Sequence, residues 1–302
     1  MARISVVVNT YNEEKNIKRC LESVKWADEI VVVDMHSTDN TVAIAKQYTA
    51  KIFLHDKINY VEPARNFALT KAQNEWILIV DADEEIPSEL IKKLKAIAQE
   101  NIVDYVMLPR KNIIFGKWMQ HTGWWPDPLI RFFKKGNVTW KDEIHSIPEA
   151  VGKEMQLADE KYAIIHHNYD SVSQFLHKNL EIYAREEAEE KVREGYIFNY
   201  IDVIRFPVTE FLRRYFAWNG YKDGLHGLVL SLLMACYHLM IFIHIWEKEK
   251  FKEINDPNLV DTIEKESKKS YKEFRYWFYD EKIKQSKSSS EKYLLKIKRK
   301  IS

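Results

Sequence analysis

Apolar residues in the first hundred positions fall into short, nearly continuous runs separated by stretches of helical spacing. Residues 4–8, 29–33, 51–54 and 76–80 are strand-length and rich in Val and Ile, the pattern of strands buried on both faces. Between them, residues 13–24, 39–48 and 62–71 carry helical spacing, and 87–99 follow with Leu90, Leu94 and Ile97 on one face. Asn12 and either Thr38 or Asp39 are the expected caps of the first two helices. This alternation predicts an α/β fold with a doubly wound, mostly parallel sheet. From Tyr105 to His167 short extended pieces alternate with turns, a mixed β second half of the same domain. Beyond Tyr169 the spacing is helical, over 172–193, 200–215, 225–246 and 259–279. The expected organisation is an α/β domain over 1–170, a helical extension over 171–280 and a basic, flexible tail over 281–302.

One helical segment departs from the amphipathic pattern. Residues 224–246 contain no Asp, Glu, Lys or Arg, and about 20 apolar residues suffice to cross a bilayer. His226, Ser231, Cys236, His238 and His244 interrupt the run. Just before it, Arg205, Arg213 and Arg214 are mixed with Phe206, Phe211, Tyr215, Phe216 and Trp218, as in helices that lie at a membrane interface. An interfacial helix is the favoured reading, ahead of a buried core helix and then a true span. The lysine-rich tail adds basic charge suited to an anionic surface. With a net charge of +1 over 302 residues, bulk attraction to nucleic acid is not expected. Two distant cysteines, Cys20 and Cys236, suggest neither a disulfide framework nor a metal knuckle. A strand beginning at Arg3 leaves no signal peptide, so a cytoplasmic location is expected.

The candidate chemistry gathers at predicted strand ends. Asp81-Ala82-Asp83 closes the run 76–80, and ligands of open α/β sheets bind beyond the carboxyl ends of strands. Two acids one residue apart, followed by Glu84 and Glu85, suit a hard divalent cation that also takes phosphate oxygens. A solvated acidic turn leading into the next helix is the plainer alternative. Asn9-Thr10-Tyr11-Asn12-Glu13-Glu14 closes the first strand, where backbone amides and polar side chains suit a base or phosphate. Asp34 closes the second strand and suits a base or ribose. Arg65 precedes the Asp81 strand, within reach of a diphosphate or in a surface ion pair.

Taken together, VVVNTYNEE, VVVDMHSTDNT, ARNFAL and VDADE resemble, in order, the motifs of the family 2 glycosyltransferases. These are inverting, nucleotide-sugar-dependent enzymes with a glycosyltransferase A-like core. The four motifs fall within residues 1–90; His36 stands where the family commonly has a small residue. The resemblance implies that Asn9, Tyr11, Glu13, Asp34 and Arg65 contact the nucleotide of a UDP-sugar. It implies that Asp81 approaches the ribose or diphosphate and that Asp83 ligates Mg²⁺ or Mn²⁺. The later segment WWPDPLIRFFKKGNVTWKDEIH is similar to a branch that includes lipopolysaccharide-core β-glucosyltransferases. That implies a lipid-linked saccharide acceptor and a peripheral position on the inner face of the cell membrane. A polyprenyl-phosphate sugar transferase is the same-fold alternative and usually brings several clear spans. A nucleotidyltransferase would normally carry a Gly-rich phosphate loop in place of Asn9-Thr10-Tyr11-Asn12.

Inverting transfer needs one base for the acceptor hydroxyl while charge on the leaving diphosphate is stabilised. The candidates are Asp127, Glu143 and His145. Asp127 is preferred, because Asp127 and Arg131 form a D-x-x-x-R arrangement resembling the active-site segment of polyprenyl-phosphate sugar transferases. Trp124 and Trp125 are expected to stack on a sugar and, by desolvating Asp127, to raise its pKa. The family's pattern of a downstream histidine implies His145 as a third metal ligand or diphosphate contact. His166 and His167 read as a strand end.

Overall fold

A computed structural model of the chain describes residues 2–56, 62–141 and 148–300. These residues form two compact units, one of residues up to 118 with 124–170, the other of 119–123 with the residues from 171 onward.

In the first unit, strands β1 (Ile4–Thr10), β2 (Glu29–Asp34), β3 (Ile52–Leu54) and β4 (Trp76–Asp81) alternate with helices α1 (Ile17–Val24), α2 (Thr41–Ala45) and α3 (Glu62–Lys71). A short strand β5 (Glu84–Glu85) leads into α4 (Ser88–Glu100). The mixed half supplies β6 (Tyr105–Leu108), β7 (Arg110–Ile114), β8 (Lys117–Trp118), β9 (Leu129–Lys134), β10 (Val138–Thr139), β11 (Glu149–Ala150), β12 (Glu154–Gln156) and β13 (Ile164–Tyr169). The main sheet has the order β12-β6-β9-β4-β1-β2-β3. In it β1 pairs in parallel with both β2 and β4, and β9 runs antiparallel between β4 and β6. The expected doubly wound, mostly parallel α/β architecture followed by helices is borne out. A second sheet has the order β5-β13-β7-β8, and β10 pairs with β11.

Strand period decides the two cores. Val6, Val8, Leu78 and Val80 pack on one face of the main sheet with Leu21, Leu90, Leu94 and Ile97. Val7, Val31, Val33, Ile77 and Ile79 pack on the other with Ala64, Ala68 and Phe133. Both faces being covered explains why these runs are continuous rather than alternating.

The second unit is helical. A stretch through α5 (Val172–Phe175) continues in wide turns to α6 (Ala184–Arg193). Then come α7 (Asp202–Leu212), α8 (Leu225–Lys248), α9 (Leu259–Gln285) and α10 (Ser289–Lys300). The basic tail, expected to be flexible, is largely helical, with Arg299 paired to Asp280. Helix α8 is long and apolar enough to cross a membrane by length and composition. One of its faces is nonetheless core, through Leu230, Met234, Ile241, Phe242 and Ile245. Its buried polar neighbourhood includes Tyr237 donating to Glu187 at 2.5 Å and His238 facing Glu210 at 3.5 Å. Leu225, Val229, Leu232 and Trp246 lie exposed along the other side.

Candidate active site

Parallel pairing aligns the ends of β1, β2 and β4. Thr10 lies opposite Asp34 and Asn9 opposite Asp81, so the three strands present their terminal polar residues side by side. Asn9, Thr10 and Asp34 are buried, and both amide atoms of Asn9, the Thr10 hydroxyl and Oδ1 of Asp34 have no hydrogen-bond partner among the described residues. Each buried unsatisfied group costs about 1–3 kcal/mol, so a row of them at strand ends suits a bound polar group, whether ligand or ordered water.

The loops beyond these strands are fastened to each other. The Asn12 N–H donates to Ser37 Oγ at 2.8 Å, and Asn12 Oδ1 accepts from the Thr38 N–H at 2.8 Å. Asn12 therefore ties the two loops together instead of capping α1, which starts only at Ile17. Asp39 accepts from the Thr41 N–H at 3.0 Å, but the capping position of α2 is Asn40, which makes no side-chain cap bond, so neither Thr38 nor Asp39 is the cap. Glu13 accepts from Asn16 Nδ2 at 2.8 Å, and Tyr11 packs beside the core that holds Val7 and Val33.

Behind this row runs a chain of alternating charges. Asp81 accepts from Arg65 at 3.0 Å and also pairs with Arg131. Arg131 reaches Glu84 at 3.4 Å, Glu84 faces Arg110 at 3.5 Å, and Arg110 pairs with Asp127 at 2.7 Å. Three guanidinium groups thus balance three carboxylates, as buried charge requires. Burial pushes the Asp81 carboxyl up, but Arg131 and Arg65 outweigh it and hold the group well below the usual carboxylate range. Arg131, expected to take part in catalysis, is buried at 3% exposure with its guanidinium on Asp81 and Glu84.

Asp127 sits on the loop before β9 with a positive φ of 44°, a conformation uncommon for residues other than glycine. Its Oδ2 accepts from Arg110 Nε at 2.8 Å and from Asn112 Nδ2 at 2.9 Å. The expectation of a raised Asp127 pKa is overturned. Burial does push it up, but the Arg110 guanidinium and the Asn112 amide outweigh that effect and lower it. Trp124 and Trp125 belong to the same loop, Trp125 edge-on to Trp118 and Trp124 edge-on to Tyr169. Glu143 and His145 lie outside the described residues.

For a divalent cation, the two acids of D-x-D differ. Asp81 is held by two arginines, whereas Asp83 Oδ2 faces His166 Nε2 at 3.5 Å. No group of three or more metal-type side chains converges among the described residues. One carboxylate with an imidazole nevertheless fits a cation that takes most of its ligands from a diphosphate and water. Asp83 and His166 would hold it.

A family model described as Glycosyl transferase family 2 matches residues 5–151. An uncharacterised glycosyltransferase of Rickettsia typhi is 30% identical over 246 residues, spanning 78% of this chain and 84% of the relative. The chain belongs to glycosyl transferase family 2. Another relative is the lipopolysaccharide core biosynthesis glycosyltransferase LpsC of Rhizobium meliloti, 25% identical over 274 residues, 86% of this chain and 97% of LpsC. A solved structure of Staphylococcus aureus TarS 1–349 in complex with UDP-GlcNAc is similar with a TM-score of 0.42 and 19% identity, covering 84% of this chain and 93% of that one.

Sequence reasoning missed three residues of this glycosyltransferase that touch the site residues. Arg110 and Asn112 are two apart on β7 and so share a face, but no motif marks them. His166 was read as a strand end, yet it is buried against Asn112 and Asp83.

Proposed function

We propose that this glycosyltransferase transfers a hexose from a UDP-sugar, with inversion, to a hydroxyl of a lipid-linked saccharide, using Mg²⁺ or Mn²⁺. The observation that carries the donor reading is the row of unsatisfied buried polar atoms on Asn9, Thr10 and Asp34 at the ends of parallel strands. Those groups suit the donor and acceptor edges of a base and ribose. Arg65 and Arg131 fix Asp81 at the inner end of that row, where it orients the ribose or diphosphate. A divalent cation held by Asp83 would neutralise charge developing on the leaving diphosphate. Asp127, kept ionised by Arg110, accepts the proton of the acceptor hydroxyl. Its carboxylate is anchored through Oδ2, leaving Oδ1 for that proton. Trp124 and Trp125 on the same loop offer apolar faces to a sugar ring.

Two observations support an acceptor on a membrane. LpsC is named for lipopolysaccharide core synthesis, and α8 exposes the apolar series Leu225, Val229, Leu232 and Trp246. These lie at helical spacing on one side. On this reading the enzyme is peripheral on the cytoplasmic face of the cell membrane, and the site belongs to the unit up to residue 170. The test is a screen of nucleotide-sugars with Mg²⁺ and Mn²⁺, read as released nucleoside diphosphate. Metal-dependent release from a UDP-sugar, stimulated by a lipopolysaccharide-core acceptor, is expected. Release from none of the donors in the presence of that acceptor contradicts the proposal.

A further inference from the structure

We propose that Asn112 is a positioning residue that anchors Asp127 and, through the same amide, fixes the proton of His166 on Nδ1. The Nε2 lone pair of His166 is thereby turned towards Asp83. This inference rests on the reading of Asp83 as a cation ligand and of Asp127 as the base.

Asn112 is fully buried on β7, opposite His166 in the parallel pairing of β7 with β13. Its Nδ2 donates to Trp124 O at 2.8 Å and to Asp127 Oδ2 at 2.9 Å. Both partners can only accept when Asp127 is ionised, so the orientation of the amide is settled by chemistry. Its Oδ1 consequently faces His166 Nδ1, at 2.7 Å. An amide oxygen has only lone pairs to offer, so Nδ1 carries the hydrogen. In a neutral ring Nε2 is then an acceptor, and it stands 3.5 Å from the carboxylate oxygen Asp83 Oδ2.

Without Asn112 the ring would gain more by placing its proton on Nε2, where it would meet the Asp83 carboxylate. Asn112 opposes that preference and leaves two acceptors side by side, an arrangement that a bound cation makes favourable. Anchoring of Asp127 and preparation of His166 are therefore set by one side chain. A substitution at Asn112 should disturb both the proton acceptor and the cation site.

The test uses the full chain labelled with ¹⁵N-histidine, without metal, donor or acceptor. The pH is about two units above the ordinary imidazole value of about 6.5, and the His166 signals are identified by their loss in His166→Gln. The wild type is expected to show His166 protonated on Nδ1 alone, and Asn112→Leu to move the proton to Nε2. Titration with Mn²⁺ alone, followed by electron paramagnetic resonance, should give Asn112→Leu a dissociation constant about tenfold or more above wild type, the usual scale for a residue that orients a ligand. A wild-type His166 with a proton on Nε2 overturns the inference, and so does an Asn112→Leu variant that keeps the wild-type tautomer. Should Asn112→Leu fail to fold, the wild-type spectrum still decides. Because the tautomer is read without turnover, a failure of the transfer reading and a failure of this one are distinguishable.

Discussion

Replacing Arg131 with methionine removes the middle cation of the charge chain while keeping a side chain of similar length. Two carboxylates lose a partner at once, Asp81 and Glu84, but neither is stranded. Asp81 keeps Arg65 at 3.0 Å and Glu84 keeps Arg110 at 3.5 Å. Removing one member of a buried pair costs about 3–5 kcal/mol, and the surviving partners place Arg131→Met near the low end, at about 3 kcal/mol. For a unit of this size each kcal/mol moves the melting temperature by about 2–4 °C, giving a drop of roughly 6–12 °C. Differential scanning calorimetry at neutral pH measures it. Adding Glu84→Gln to Arg131→Met should recover part of the loss, since the acid with the weaker remaining partner becomes neutral. The pH dependence has a definite sign. Asp81 has a folded pKa below its unfolded value, so its contribution is complete above the unfolded pKa of about 3.9 and is lost as pH falls towards the folded one. Arg131→Met brings that folded pKa nearer the unfolded value, so the gap between wild type and variant should narrow progressively below about pH 4. A melting temperature within about 2 °C of wild type at neutral pH would refute the reasoning, because that corresponds to at most about 1 kcal/mol.

Asp83→Ala should leave the fold intact and abolish metal-dependent donor turnover; a folded variant that turns over normally sinks the cation assignment. Asp127→Asn should leave donor affinity nearly unchanged and cut turnover by about 10² or more, the usual scale for a lost general base. Wild-type turnover in Asp127→Asn, with loss in Glu143→Gln, would make Glu143 the base. Wild-type protein should sediment with anionic vesicles at low salt and stay partly bound at 1 M salt, where exposed charges are screened within about 3 Å. Leu232→Glu should weaken the salt-resistant fraction, and complete release of the wild type by salt alone would remove α8 from the attachment.

The parallel half of the fold was legible because its strands are buried on both sides, so Val6 to Val8 and Ile77 to Val80 read as unbroken apolar runs. The start of the first helix was misjudged because Asn12, with φ at 52°, cross-links two loops, and a capping residue and a loop tie look alike in sequence. Asp34, Asp81 and Asp83 were visible because strand ends concentrate polar residues just after apolar runs. What could not be read is who pairs with whom. The arginine that lowers the Asp127 pKa lies 17 residues upstream, on β7, and the aromatic neighbours alone suggested the opposite shift. His166 escaped notice for the same reason. Its partners Asn112 and Asp83 come from two other segments, brought together only by the pairing of β13 with β7 and β5.

The central claim is that the ends of β1, β2 and β4 receive a nucleoside diphosphate, and titration calorimetry of UDP in the presence of Mn²⁺ tests it most directly. Wild type should bind, and Asp34→Ala should weaken binding by about 10- to 100-fold, the equivalent of one hydrogen bond to a charged group at about 1.5–3 kcal/mol. The melting temperature should fall only modestly, because Oδ1 has no protein partner among the described residues and Oδ2 accepts a single bond, from the Ser37 N–H at 2.9 Å. Equal UDP affinity in wild type and a folded Asp34→Ala variant would contradict the account.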